Sequence, residues 1–195
     1  MKMKNLKMII GSLAMLLTLN ACAPALIAGG VGAGALGVNE RRTSGVLVED
    51  QSIEVKAQHK IKDYPDRQKA HVSVLSYNQR VLLTGEVPSR DFGLRAERDI
   101  RSVEHVRDVI NELIISEPAS VASISNDALI TSKVKTALTA QIKKKGFNSA
   151  HVKVKTERGI VYLMGIVTRE EADIAVNIVR GVSGVAEIVP LFEIQ

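Results

Sequence analysis

Four histidines, one cysteine and a scatter of carboxylates are the residues of this 195-residue chain whose types could support chemistry. His59, His71, His105 and His151 are spread along the chain, and no two share metal-ligand spacing. His71 and His151 alternate with inward-facing valines, a pattern that favours solvated strand-edge imidazoles over ligands. Glu170 and Glu171 are adjacent, so they do not share a helix face for paired acid–base work. Acids at a helix start suit the helix dipole instead. No G-x-S-x-G, no phosphate-cradling glycine loop and no nucleophile–histidine–acid set is visible. The expectation is a protein that is not an enzyme and that uses no cofactor and no metal.

The single cysteine has a different context. MKMKNLK supplies three lysines and no acid, MIIGSLAMLLTL follows as an apolar run, and Asn20–Ala21–Cys22 closes it with small residues. A charged start, a short apolar core and a small-residue end make an export signal. The run falls short of the ~20 apolar residues that span a bilayer. LNAC resembles a lipobox, the cleavage site before an acylated cysteine. Cys22 is therefore expected to be the lipidated first residue of the mature chain; the alternative is a secreted protein with a spare buried thiol. One acyl chain holds weakly, and two or three give a stable anchor. Ala23, rather than Asp, follows the cysteine, which by resemblance to sorted lipoproteins implies the outer membrane.

Residues 1–21 hold three of the 26 basic residues and no acid, so the remainder carries 23 bases against 21 acids, net +2. With no Trp and six Phe and Tyr in all, there is neither the charge nor the stacking platform of a nucleic-acid binder. APALIAGGVGAGALGV (Ala23–Val38) is small, apolar and too glycine-rich for a stable soluble helix. It reads as a flexible or membrane-hugging tether; a small-xxx-small packing surface through Gly30 and Gly34 is the alternative.

The elements that position everything else come as a repeat. HVSVLSYNQRVLLTGEVPSRDFGLRAERDIRSVEHVRDVINELII from His71 aligns with HVKVKTERGIVYLMGIVTREEADIAVNIVRGVSGVAEIVPLFEI from His151. His71/His151, Val81/Val161, Leu83/Leu163, Gly85/Gly165, Val87/Val167, Arg101/Arg180 and Val106/Val185 are among the matches. In each copy V-x-V and V-x-L-x-G-x-V alternate with period two, which predicts two strands with one buried face. YNQ and ERG supply the turns, and Gly85 and Gly165 mark a bulge or a close backbone approach. Ser89 and Thr168 are N-caps for the helices that follow, and VRDVINELII and VAEIVPLFEI close each unit as a third strand. A helix precedes the second copy in SNDALITSKVKTALTAQIKKKG, capped by Asn126 or Asp127 and stopped by Gly146. Ile130, Val134, Ala137 and Leu138 form its core stripe. The first-copy equivalent, VEDQSIEVKAQHKIKDYP, reads as shorter and more polar.

The two leading helices differ in charge. Residues 49–69 balance five bases with five acids, whereas residues 126–146 hold Lys133, Lys135, Lys143, Lys144 and Lys145 against Asp127 alone. A negative partner is expected for the second. Leu129, Lys133, Thr136 and Ala140 form a row beside the core stripe, placing a leucine above a lysine and small residues. That suits dipping an apolar tip among acyl chains while lysines meet anionic headgroups, each worth ~1 kcal/mol. A solvated helix with one stray exposed leucine is the competing reading.

The order of elements, the V-x-L-x-G-x-V strand and the R-x-x-A…V-x-x-V helix resemble the BON domain, a module of bacterial extracytoplasmic proteins. Two such units behind a lipobox resemble the dual-BON lipoproteins. The resemblance implies an α+β fold of two tandem BON domains, each a small mixed sheet packed on two helices. The expected boundaries are a signal peptide at 1–21, lipidated Cys22 and tether at 22–45, domains at 46–115 and 126–195, and a linker at 116–125. The resemblance also implies a periplasm-facing outer-membrane lipoprotein that supports envelope integrity at division sites. It implies that the second domain binds anionic, phosphatidylglycerol-like phospholipid through Leu129, Ser132, Lys133, Lys135, Thr136 and Thr139. An aromatic is common in that family where this chain has Leu129; leucine lacks the interfacial ring, which shifts weight onto Lys133 and Lys135. The rival expectation is a protein-interaction module docking on outer-membrane assembly proteins. Two small units have modest cores individually, so they are expected to pack together, with the meeting faces unread.

Overall fold

The computed structural model describes residues 40–140 and 147–195, which fall within one compact unit. Cys22, the signal segment, the tether, Lys143, Lys144, Lys145 and the expected stop at Gly146 lie outside the described residues. No helix among the described residues is long and apolar enough to cross a membrane.

Each copy has the same build. The first runs α1 (Ser44–Lys62), β1 (His71–Tyr77), β2 (Arg80–Val87), α2 (Arg90–Arg101) and β3 (Asp108–Ile115); the second runs α3 (Val121–Ala140), β4 (Val152–Glu157), β5 (Ile160–Val167), α4 (Arg169–Arg180) and β6 (Glu187–Ile194). The central strands β2 and β5 each pair antiparallel to the preceding strand and parallel to the following one. The parallel pair needs a crossover, and α2 and α4 supply it. Ser89 and Thr168 cap these helices as expected, Thr168 in a reciprocal capping box with Glu171.

Both leading helices depart from the sequence expectation. The first is a full helix of 19 residues, capped by Thr43, and buries Ile53, Ala57 and Ile61 at helical spacing. The second starts at Val121, inside the stretch expected to be linker. Ser120 caps it: its carbonyl accepts from Ile124 N–H at 3.0 Å and its hydroxyl from Ser123 N–H at 3.2 Å. Asp127 is not a cap. It lies buried one turn and a half into the helix, where its carboxylate accepts the N–H groups of Arg158 and Gly159, both at 2.8 Å. Asp50 does the same in the first copy, accepting from Asn78 and Gln79 at 2.9 and 2.8 Å. Those turn residues all have positive φ, the geometry of a tight hairpin turn. A buried helix carboxylate thus holds each left-handed turn in place, Gln79 and Arg158 included.

The expectation of one buried face per strand also fails for the central strands, which are buried almost throughout. Val81, Leu83, Val161 and Leu163 face their own helices. Leu82, Tyr162 and Met164, at the x positions of the pattern, meet one another with Tyr77 across a sheet-to-sheet seam. Each sheet is sandwiched between its helices and the other sheet, which is how two small cores share one larger burial.

The seam joins the copies reciprocally. The residue entering each hairpin turn reaches the other copy's histidine: Tyr77 donates its hydroxyl to the His151 carbonyl at 3.3 Å, and Glu157 approaches the His71 ring at 3.6 Å. Beside each histidine the repeated glycine makes the close approach that the sequence anticipated. A Cβ on Gly85 would stand 1.9 Å from the His71 carbonyl oxygen, and one on Gly165 would stand 2.3 Å from that of His151.

The end of the seam at His151 is closed by the incoming chain. Arg41 makes a bidentate pair with Glu171 (2.7 and 2.9 Å) and donates to the Ile166 carbonyl at 2.7 Å. Its neighbour Arg42 turns to the first copy, pairing with Asp50 at 2.8 Å and lying 3.9 Å over the Tyr77 ring. Burial pushes the Glu171 carboxyl up, but its bonds from Arg41 and Thr168 and the nearby charges of Arg41 and His151 outweigh this and hold it below its ordinary value. His151 is therefore buried at 8 % exposure, not solvated as expected.

Candidate functional site

The face of α3 turned away from the core carries all six residues singled out for lipid contact. Leu129, Ser132, Lys133, Lys135, Thr136 and Thr139 are exposed, while Ile130, Val134 and Leu138 are buried. At about 100° per residue, Leu129, Ser132 and Thr136 occupy the middle of the exposed arc. Lys133 falls on one flank and Lys135 on the other, with Thr139 on the Lys135 side. The two lysines therefore do not form one patch; they bracket an uncharged strip.

Leu129 is 62 % exposed at the centre of that strip. Because the helix begins at Val121, the strip is longer than the sequence suggested. Val121, 80 % exposed, stands two turns before Leu129, with Ser125 between them at i+4. The face therefore offers two aliphatic tips separated by small hydroxyl side chains. Ile124 is also exposed, further round towards the Lys135 flank. Lys133 leans toward the loop after α4, donating to the Ser183 hydroxyl at 3.3 Å. Lys135 makes no ion pair among the described residues.

The loop and sheet behind α3 fix its attitude. Ile130 and Val134 pack into the second core with Val154, Val161, Leu163 and Val179. Thr131 donates across to the Thr156 hydroxyl at 2.8 Å. With the Asp127 clamp, three consecutive turns of the helix are bound to the sheet, so the exposed strip is carried on a rigid element. A shallow cleft of about 360 Å³ opens beside it, bordered by Ile124, Ala128, Thr131, Thr156, Glu157 and His71.

Some residues that shape this region were not readable as such. Val121 falls in the stretch expected to be linker; the signal that points to the helix is Ser120 ahead of a helix-compatible run. Glu86 has a readable signal, an acid at an x position of an otherwise apolar strand, which marks a buried polar contact; Glu157, at the end of VKVKTE, has none.

The BON-domain model matches residues 49–117 and 126–195. The Outer membrane lipoprotein DolP of Haemophilus influenzae (strain Rd) is 34% identical over 192 residues, 98% of this chain and 96% of that protein. The 21 kDa hemolysin of Actinobacillus pleuropneumoniae is 32% identical over 149 residues, 76% of this chain and 75% of that protein. The Osmotically-inducible protein Y of Escherichia coli K12 is 29% identical over 147 residues, 74% of this chain and 72% of that protein. Two family matches, two copies of one α+β unit and end-to-end similarity to a two-domain relative agree: the chain belongs to the BON-domain family, in its dual-BON, DolP-like form.

Proposed function

We propose that this is a lipid-anchored, periplasm-facing outer-membrane protein whose second BON domain rests on anionic phospholipid through the exposed face of α3. The observation that carries the reading is the placement of Leu129 on a rigid uncharged strip between Lys133 and Lys135. A leucine tip can enter the acyl boundary only if its helix neighbours are small enough to let the backbone approach. Ser125, Ser132 and Thr136 are. Lysines on both flanks would then sit at headgroup height, one on each side of the inserted tip, where each is worth ~1 kcal/mol against an anionic surface. The anchor expected at Cys22 makes this contact intramolecular in effect, since tethering raises the local concentration of the surface. The resemblance to dual-BON lipoproteins supports a role in envelope integrity at division sites.

The test is flotation of the soluble unit, residues 37–195, with vesicles of phosphatidylglycerol or phosphatidylcholine. Binding to the anionic vesicles alone is expected. Leu129→Ala should weaken it about fivefold, the cost of ~1 kcal/mol of lost apolar burial, and Leu129→Trp should strengthen it. Equal binding to both lipids, or none to either, would overturn the reading and leave the face as a docking surface for an outer-membrane assembly protein.

A further inference from the structure

The end of the seam at His71 is built differently from the end at His151. His71 stands directly across from Glu86 in the β1–β2 register, and its Nδ1 lies 3.2 Å from Glu86 Oε2 and 3.6 Å from Glu157 Oε1. These three groups, two from the first domain and one from the second, place their ligand atoms within 4.8 Å of one another. The shorter contact is a hydrogen bond and the longer one is beyond hydrogen-bond reach, so the imidazole bonds Glu86 and only faces Glu157. Glu86 is fully buried, and its Oε1 has no hydrogen-bond partner.

We propose that His71 Nδ1, Glu86 Oε2 and Glu157 Oε1 form a binding site for a zinc-class divalent ion that staples the two domains together. Metal–ligand bonds of roughly 2.0–2.1 Å in a tetrahedral site put neighbouring ligand atoms about 3.3 Å apart, close to the two spacings observed here. Outer contacts orient both carboxylates, for Glu157 on the oxygen away from the imidazole and for Glu86 on both oxygens. Glu157 Oε2 is held by Lys155 at 3.1 Å and by the Thr84 hydroxyl at 3.3 Å. Glu86 Oε1 faces Arg158 at 3.5 Å, and Glu86 Oε2 also accepts the Ala119 N–H at 3.0 Å. Such outer partners fix ligand direction in metal sites. Lys155 and Arg158 balance the two carboxylates in the empty site; a bound divalent ion takes over that counter-charge and leaves the two cations, whose side chains are 25 % and 47 % exposed, to solvent. The cleft that borders α3 is lined by His71 and Glu157, which gives an ion a way in and leaves a fourth position to water. One imidazole with two carboxylates suits zinc, cobalt or nickel; calcium takes six to eight oxygens and magnesium demands an octahedral oxygen shell. Spacing along the sequence hides the set because one ligand comes from the other copy.

The equivalent positions of the other copy do not reproduce it. Ile166 stands where Glu86 does and Tyr77 where Glu157 does. The fold therefore does not require two carboxylates beside this histidine.

The experiment is titration of the full-length chain in detergent with zinc chloride, followed by calorimetry and by thermal unfolding, and repeated with cobalt chloride for its visible spectrum. One equivalent should bind, raise the unfolding temperature and give the d–d bands of a four-coordinate nitrogen–oxygen site. His71→Ala should weaken binding by more than the roughly 10–100-fold typical of losing an outer-shell partner. The near-isosteric Glu157→Gln should weaken it while leaving the fold intact, which keeps the test sound if His71→Ala is unstable. His105→Ala, at an exposed histidine beside Glu49 and Glu104, should bind as the parent does. Undiminished binding in both seam variants, no uptake by the parent chain, or a sulfur-to-cobalt band placing the ion on Cys22 would each overturn the proposal.

Discussion

The two ends of the inter-domain seam share a backbone and little else. At each, a histidine opens the first strand of one copy, a glycine lies against its carbonyl, and the residue entering the other copy's hairpin turn reaches across. At the His151 end that residue is Tyr77, and Arg41 and Arg42 close over it. At the His71 end it is Glu157, met by Glu86, with a cleft alongside. Duplication supplied one geometry twice. The side chains then made one end a plug and the other an open polar cluster.

Substituting the paired glycines separates backbone from side chain and has the largest expected effect. Gly85→Ala should cost more than about 4 kcal/mol or prevent folding, because its Cβ meets the His71 carbonyl and its φ of +116° is one that side chains rarely adopt. Gly165→Ala should cost less, since Gly165 makes the looser approach and has no positive φ. Chemical denaturation of both variants measures the difference, and equal losses would mean that the positive φ of Gly85 adds nothing to the cost of its close approach.

Removing Arg41 opens the plug. Arg41→Ala should cost about 2 kcal/mol, because it strands the Glu171 carboxylate and frees the Ile166 carbonyl. It should also change the acid response. Glu171 has a lowered folded pKa, so its contribution is present above the ordinary value of 4.5 and is lost as the pH falls through the lowered one. Melting curves taken downward from neutral pH should therefore fall less steeply below about pH 4.5 in the variant than in the parent. Parallel curves would show that Arg41 does not set that carboxyl. Tyr77→Phe is the mildest change, removing one hydroxyl bond to the His151 carbonyl at 3.3 Å. It should cost about 1 kcal/mol, and no change at all would assign the plug to the arginines and the Tyr77 ring alone.

Much of the fold was legible because the repeat gave every element two independent readings. Ser89 and Thr168, the YNQ and ERG turns and the close approach at Gly85 and Gly165 could be placed from residue type alone. The double burial of β2 and β5 was not, since a period-two reading assigns Leu82, Tyr162 and Met164 to solvent; that these x positions are apolar was the overlooked sign. The α3 face was legible as a set, because helical spacing is local. Its extension to Val121 is hidden because Asn126 and Asp127 offer a plausible cap, whereas Asp127 binds a turn 31 and 32 residues away. The seam was beyond reach for a simpler reason: Tyr77 and His151, or Arg41 and Glu171, are 74 and 130 residues apart, and no pattern along the chain records such a meeting.

The arginine pair just ahead of α1 has a mechanical consequence. Tension arriving along the chain from its N-terminal side is delivered at Glu40–Arg42, where Arg41 grips the second domain and Arg42 the first. A pull there is divided between both halves as it enters the folded body, so neither is peeled from the other in the way a force on one domain alone would peel them. The molecule is harnessed at its seam, and a moving envelope can drag it without prising it open.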